Sequence, residues 1–419
     1  MAENTPPEGA ASCEHMSNIT ALTNACCSGD KLQVRALLQL GVPLDRPDML
    51  GLTPLQRAAR NGLIDIVDLL LQHGADVGVA NESREGALHF AASYGYAQIV
   101  GLLLQFGADA NARDVDGRTP LHAAVSEGFA DATHVLLRYG ADRCVVDDAG
   151  MTALHLAASL GHLAIAKLLL TPREARPTAA YCRADDAGNV PKLETIVKML
   201  ARHANSAFVN AADRKSRTAL HFAVWRSAEF TVFLLQNGAD PNSVDGSGCT
   251  AFHVACMEPL KHNALILLSY GADPVSASRD GRTPMHVLVT DMLIYLSRLH
   301  GLAGAQQQQV VLPPQKLTVL HILKVLIAYP LHIDVPDREG FTAFGLWQEV
   351  YMKRTWLYSA YFDSVNVINE RMNELFFFKL KCVAARAATK YRLPYNDPEL
   401  LHKHLVDLVG KHDKYAIER

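Results

Sequence analysis

Catalytic signatures are what this chain lacks. It has no His-Glu-x-x-His, no glycine-rich phosphate loop and no Gly-x-Ser-x-Gly, so the usual zinc-hydrolase, nucleotide-enzyme and serine-hydrolase arrangements have no foothold. Charge of one sign is lacking too. Its 40 Lys and Arg face 43 Asp and Glu, a net charge of -3 with both signs interspersed, which offers no basic patch to nucleic acid or to an anionic membrane surface. The eight cysteines contain no Cys-x-x-Cys. Cys26, Cys27, Cys256 and Cys382 fall inside helical patterns, so reduced, buried thiols in a cytoplasmic or nuclear protein are expected. No apolar run approaches the length of a membrane span. The polar opening, residues 1–17, carries no secretory pattern and is expected to be disordered. On that reading the sequons at Asn18 and Asn81 are chance matches.

What is present is a period. Thr53-Pro-Leu-Gln-Arg-Ala-Ala returns as Gly86-Ala-Leu-His-Phe-Ala-Ala, as Thr119-Pro-Leu-His-Ala-Ala and as Thr152-Ala-Leu-His-Leu-Ala-Ala, 33 residues apart each time. Thr20-Ala-Leu sits one period upstream. Thr218-Ala-Leu-His lies two periods after Thr152, which predicts a disguised repeat between them, and Thr250-Ala-Phe-His, Thr283-Pro-Met-His and Thr342 follow. Thr before Pro suits a helix start, because the hydroxyl accepts orphan N–H groups and Pro is pre-set for the first turn. Stretches such as Ile64-Asp-Ile-Val-Asp-Leu-Leu-Leu place apolar residues at helical spacing, and His73-Gly74-Ala75-Asp76 ends that second helix on a Gly tolerant of left-handed geometry.

These residues resemble the ankyrin repeat. The resemblance implies an all-α solenoid of about ten helix-turn-helix units over 18–365, each contacting its neighbours, with protein binding as the default function. Insertions near 171–186 and 301–316 interrupt it. The amphipathic stretch Lys192-Leu-Glu-Thr-Ile-Val-Lys-Met-Leu is expected to give the disguised unit its second helix, with the first helix short or absent, and Gly301-Leu-Ala-Gly-Ala-Gln-Gln-Gln-Gln reads as a surface loop.

Six of the 18 histidines (His89, His122, His155, His221, His253, His286) share one repeat position. Metal sites do not recur in that way. By resemblance to the ankyrin family these six hydrogen-bond within and between neighbouring repeats, and no metal or cofactor is expected. Target recognition falls to the exposed first-helix ends, just before the turn, where Tyr94, Trp225, Arg226 and Met257 are the residue types that dominate binding hot spots. Isolated exposed apolar residues are otherwise ordinary.

Of the 30 aromatic residues in the chain, eleven fall within 341–378, so this segment must bury a compact apolar surface and is expected to cap the last repeat. Beyond it, Leu380, Val383, Ala384, Ala387, Ala388 and Tyr391 make one helical stripe, and Asp397-Pro398 starts a second helical stretch. Two such helices after ankyrin repeats resemble the SOCS box of the ankyrin-repeat and SOCS-box family, as a module over 366–412. The resemblance implies that Leu380, Ala384 and Ala388 enter a pocket on elongin C, with elongin B bound alongside. It also implies that Leu393, Pro394, Pro398, Leu401 and Leu405 contact a cullin. Lys379, Ala384, Asp397 and His404 depart from the family preference, which leaves the elongin half better matched than the cullin half. The function implied is a substrate-recognition subunit of a cullin-RING ubiquitin ligase that is not itself an enzyme. The alternative is a non-catalytic scaffold or signalling adaptor whose last helices only cap the solenoid. A further resemblance, Leu-x5-Asp-x-Asn at Leu103, Asp109, Asn111 and at Leu234, Asp240, Asn242, is to ankyrin sites of asparagine hydroxylases; turn asparagines explain the same letters.

Overall fold

The computed structural model describes residues 8–171, 205–257, 260–302, 314–327, 335–352 and 365–373. The chain forms two compact units that divide between Ser243 and Val244. Both are stacks of antiparallel helix pairs, and the expected all-α ankyrin architecture is what is found.

In the first unit the pairs are Glu8–Ser28 with Lys31–Gln39, Pro54–Arg60 with Ile64–Gln72, Ala87–Ser93 with Ala97–Gln105, Pro120–Ser126 with Ala130–Arg138, Ala153–Leu160 with Leu163–Leu170, and Ala219–Arg226 with Ala228–Gln236. Each short first helix starts as its sequence directs. The Thr53 hydroxyl accepts the Gln56 N–H at 3.3 Å while Gln56 Oε1 accepts the Thr53 N–H at 2.9 Å, so two orphan donors are satisfied reciprocally. The following Ala58-Ala59, Ala91-Ala92 and Ala157-Ala158 pairs are fully or almost fully buried. Their size lets neighbouring first helices approach closely, and a larger side chain there would force the stack apart. Val67 and Leu70, Val100 and Leu103, and Ala166 and Leu169 fill the space under the second helices. Each buried Leu contributes about 1.5 to 3 kcal/mol.

The turn within each pair depends on a glycine. Gly95 has φ +76°, and a Cβ built on it would lie 2.4 Å from the Phe129 ring of the next repeat. Backbone conformation and close packing thus both demand Gly. Between pairs, fingers fold on an aspartate whose Oδ1 accepts two N–H groups, as Asp147 does from Ala149 and Met151 at 2.9 and 2.8 Å. Neighbouring fingers are tied by backbone, for example Asp148 N–H to Asp116 O at 2.9 Å.

Two expectations change at the start of the chain. The first helix begins at Glu8, so residues 8–17, expected to be disordered, are helical; the segment has no proline to break it. Thr20 lies inside that helix and starts nothing. Between Thr152 and Thr218 no described first helix stands in the stack, as expected of the disguised unit. Helix Ala153–Leu160 packs directly on Ala219–Arg226, His155 Nε2 reaches Arg217 O at 3.1 Å, and the Arg214 N–H donates to Ala149 O at 3.0 Å, the finger-to-finger bond of immediate neighbours. The stretch beginning at Lys192 lies outside the described residues, but the residues that follow it, 205–209, are helical, with Phe208 and Val209 buried. The described chain on either side of 172–204 is clasped together. Arg143 Nη1 donates to Leu169 O at 2.6 Å and Nη2 to Asn205 Oδ1 at 2.9 Å, while Asn205 Nδ2 donates to Leu170 O at 2.9 Å. The finger resumes with Asn210, whose Oδ1 accepts the Asp240 N–H at 2.8 Å as Asn111 Oδ1 accepts that of Asp142.

The second unit contains Ala251–Met257 with Lys261–Ser269, the 19-residue Pro284–Leu302 with Pro314–Leu326, and Ala343–Met352 followed by a helical stretch over 365–373. Gly301 and Leu302, expected in a loop, end the long helix; the rest of that loop lies outside the described residues. Pro284–Leu302 packs on Ala343–Met352. Trp347 is fully buried, with Val350, Val365, Ile368 and Met372, so the aromatic segment supplies core. No described helix is long and apolar enough to cross a membrane.

Candidate protein-binding surface

The exposed ends of the first helices in the first unit carry an apolar ledge with cationic ends. Tyr94 is 44% exposed, Leu160 43% and Trp225 52%. Tyr94 stacks on Tyr96 at 6.3 Å between centroids with the rings 11° apart. Arg60 Nε donates to the Tyr94 hydroxyl at 3.3 Å, with its guanidinium 6.0 Å from the Tyr94 ring centroid. At the other end Arg226 Nε donates to Ser159 O at 2.5 Å. Of the four residues expected to meet a target, Tyr94, Trp225 and Arg226 are thus exposed on the first unit; Met257, 46% exposed, belongs to the second.

Sequence reasoning weighed the residues just before the turn glycine and passed over those just after it. Leu63, Tyr96, Phe129 and His162 follow Gly62, Gly95, Gly128 and Gly161 at the 33-residue period. The last three lay their rings over the glycine of the preceding layer. They complete the ledge, and Phe129 is 36% exposed. The recurring Gly-aromatic pair was the signal.

The shared-position histidines are structural. His89, His122, His155, His253 and His286 are buried. In His122, Nδ1 accepts from the Thr119 N–H at 3.2 Å and hydroxyl at 2.9 Å, and Nε2 reaches Met151 O of the next repeat at 3.2 Å. Burial holds these five below the ordinary histidine pKa, outweighing the carbonyls and carboxylates that pull the other way. In His89, His122, His155 and His253 both ring nitrogens are engaged by backbone groups. Cys26 is buried and its thiol is pushed up to about 12, mainly by desolvation, which removes it as a nucleophile. Asn111 uses its side-chain oxygen on the Asp142 N–H at 2.7 Å, and the Asn242 N–H is held by Asp240 Oδ1 at 2.9 Å. Leu380, Ala384, Ala388, Leu393, Pro394, Pro398, Leu401 and Leu405 lie outside the described residues.

Models of ankyrin repeats match residues 7–81 and 88–181 in one form and 200–255 in another, together more than half of the chain. The chain belongs to the ankyrin-repeat family. Among curated proteins, this ankyrin-repeat chain is 38% identical over 78 residues to a 2-5A-dependent ribonuclease of Mus musculus, covering 17% of this chain and 11% of that protein. It is 44% identical over 69 residues to a probable E3 ubiquitin-protein ligase of Oryza sativa subsp. japonica, covering 16% and 13%. The chain thus matches only about an eighth of the length of these relatives. An ankyrin stack is a protein-binding scaffold, and along the ledge of the first unit Tyr94, Phe129, Leu160 and Trp225 are exposed, residue types that include those dominating binding hot spots.

Proposed function

We propose that this ankyrin-repeat protein is the substrate-recognition subunit of a cullin-RING E3 ubiquitin ligase. The repeats hold a target protein, and the C-terminal box, through Leu380, Ala384 and Ala388, docks on elongin B and elongin C. A cullin is engaged through Leu393, Pro394, Pro398, Leu401 and Leu405. The chain does no bond chemistry and acts by raising the effective concentration of the ubiquitin-loaded enzyme at the target lysine.

The observation that carries this reading is the helical stripe led by Leu380, followed by Leu393-Pro394 and Pro398-x-x-Leu401 at the box spacing. A cap would need the stripe alone. The repeat similarity to a probable ubiquitin ligase agrees with it, and the comparable similarity to a ribonuclease shows that repeats alone do not choose between chemistries. Co-expression of the full chain with elongin B and elongin C tests it. Intact protein retains both through size-exclusion chromatography, and Leu380→Asp loses them. A parent chain that elutes alone, or an L380D chain that keeps its elongins, removes the ligase reading and leaves a scaffold.

A further inference from the structure

We propose that the ledge of the first unit binds a peptide segment of a partner protein in which an apolar centre is flanked on both sides by Asp or Glu. This rests on the reading of the repeats as the target-binding part of the protein and names the chemistry of that target.

Arg60 and Arg226 stand at opposite ends of the ledge, with Tyr94, Phe129, Leu160 and Trp225 between or beside them. Both arginines are exposed, and both are tethered in the same manner. Each uses Nε on a neighbouring layer, Arg60 on the Tyr94 hydroxyl and Arg226 on Ser159 O, across 34 and 67 residues of chain. Neither makes an ion pair among the described residues, in contrast with Arg57, held by Asp48 at 2.7 Å, and Arg217, held by Asp213 at 2.7 Å. A guanidinium anchored at Nε presents its two Nη groups as a planar fork of fixed direction, the geometry that takes a carboxylate. Anchoring also removes much of the rotamer entropy that a free arginine loses on binding. The apolar surface between the forks is rigid, because Tyr94 is stacked on Tyr96 and Phe129 is seated over Gly95. Two arginines with no ion pair among the described residues, at the ends of a strip that exposes Tyr94, Phe129, Leu160 and Trp225 with Glu127 at its middle, complement acidic flanks around an apolar centre, while basic flanks would meet repulsion at both ends.

The test pans random peptides displayed on phage against the intact chain and measures selected peptides by fluorescence anisotropy. Selected sequences carry acidic residues on both sides of an apolar or aromatic centre. Arg226→Glu and Trp225→Ala each weaken binding by about tenfold or more. Arg138→Glu, on an exposed second helix, leaves binding unchanged, and the double variant Arg60→Glu, Arg226→Glu selects basic flanks instead. Circular dichroism confirms that every variant stays folded. Selection of peptides without acidic flanks, selection of none, or binding indifferent to Arg226→Glu overturns the proposal. Elongin retention is measured on the same preparations, so loss of the ligase reading and loss of the peptide chemistry are separate results.

Discussion

Acid should loosen this protein through its neutral histidines, and the chain contains its own control. The first full repeat carries Gln56 where six later ones carry His. Gln56 Oε1 accepts the Thr53 N–H at 2.9 Å, and Gln56 Nε2 donates to Val79 O at 3.0 Å and to Glu85 O at 3.2 Å. Glu85 lies 29 residues on, as Met151 does from His122. Glutamine thus makes the same connections with a group that never titrates. In His122 the accepting Nδ1 must be unprotonated, so protonation breaks the bond to Thr119 and places a charge in a buried site.

The sign follows from linkage. Burial lowers the folded-state pKa of these histidines below the unfolded value of 6.5, so the unfolded chain binds more protons and stability rises with pH. The contribution is complete above pH 6.5 and is lost as pH falls from there toward the folded pKa. Each such histidine contributes up to about 1.4 kcal/mol per pH unit within that window. His89, His122 and His155 of the first unit together give up to about 4 kcal/mol per pH unit, a large part of the 5 to 15 kcal/mol typical of a domain. Asp48 and Asp213 act lower. Burial raises each, but N–H groups and an arginine outweigh it and hold both below 3.8, so their contribution is lost only as pH falls below that value. Urea unfolding of the full chain, followed by circular dichroism at about pH 7.5, 6.5 and 5.5, measures the slope. His122→Gln should leave stability at neutral pH within about 1 kcal/mol and lower the slope by about 1.4 kcal/mol per pH unit. A parent chain equally stable across this range, or a H122Q chain with the parent's slope, refutes the reasoning.

Two structural predictions follow from the packing. Gly95→Ala should cost about 3 kcal/mol, combining left-handed strain with displacement of the Phe129 ring. Gly107→Ala, at φ +91° with nothing within 4 Å, should cost only the strain, about 1 to 2 kcal/mol; equal losses of melting temperature would contradict the ring contact. Deleting 172–204 and joining Thr171 to Asn205 should leave the helical circular dichroism of the stack and its cooperative unfolding intact, because Arg143 and Asn205 already hold those edges together. Loss of cooperative unfolding would show that the segment is a working layer.

That last prediction marks the limit of what periodicity can show. The stack was legible because each unit repeats the same solutions: Thr as cap, paired small residues in the first helix, Gly at the turn and His or Gln bridging to the next layer. Between Thr152 and Thr218 the interval is two periods, so spacing alone assigns a unit there whether or not it places a first helix in the stack. What distinguishes the two cases is partner identity. His155 finds its carbonyl on Arg217, 62 residues away, where His122 finds its own 29 residues away, and only a folded arrangement reveals that choice. The same limit applied to the ledge. Tyr94 and Trp225 stood out by residue type, while Tyr96, Phe129 and His162 belong to it because a glycine in the preceding layer leaves room for their rings. A turn glycine in this fold therefore serves two layers at once. Reading the residue after it against the glycine one period earlier would have recovered the surface from sequence.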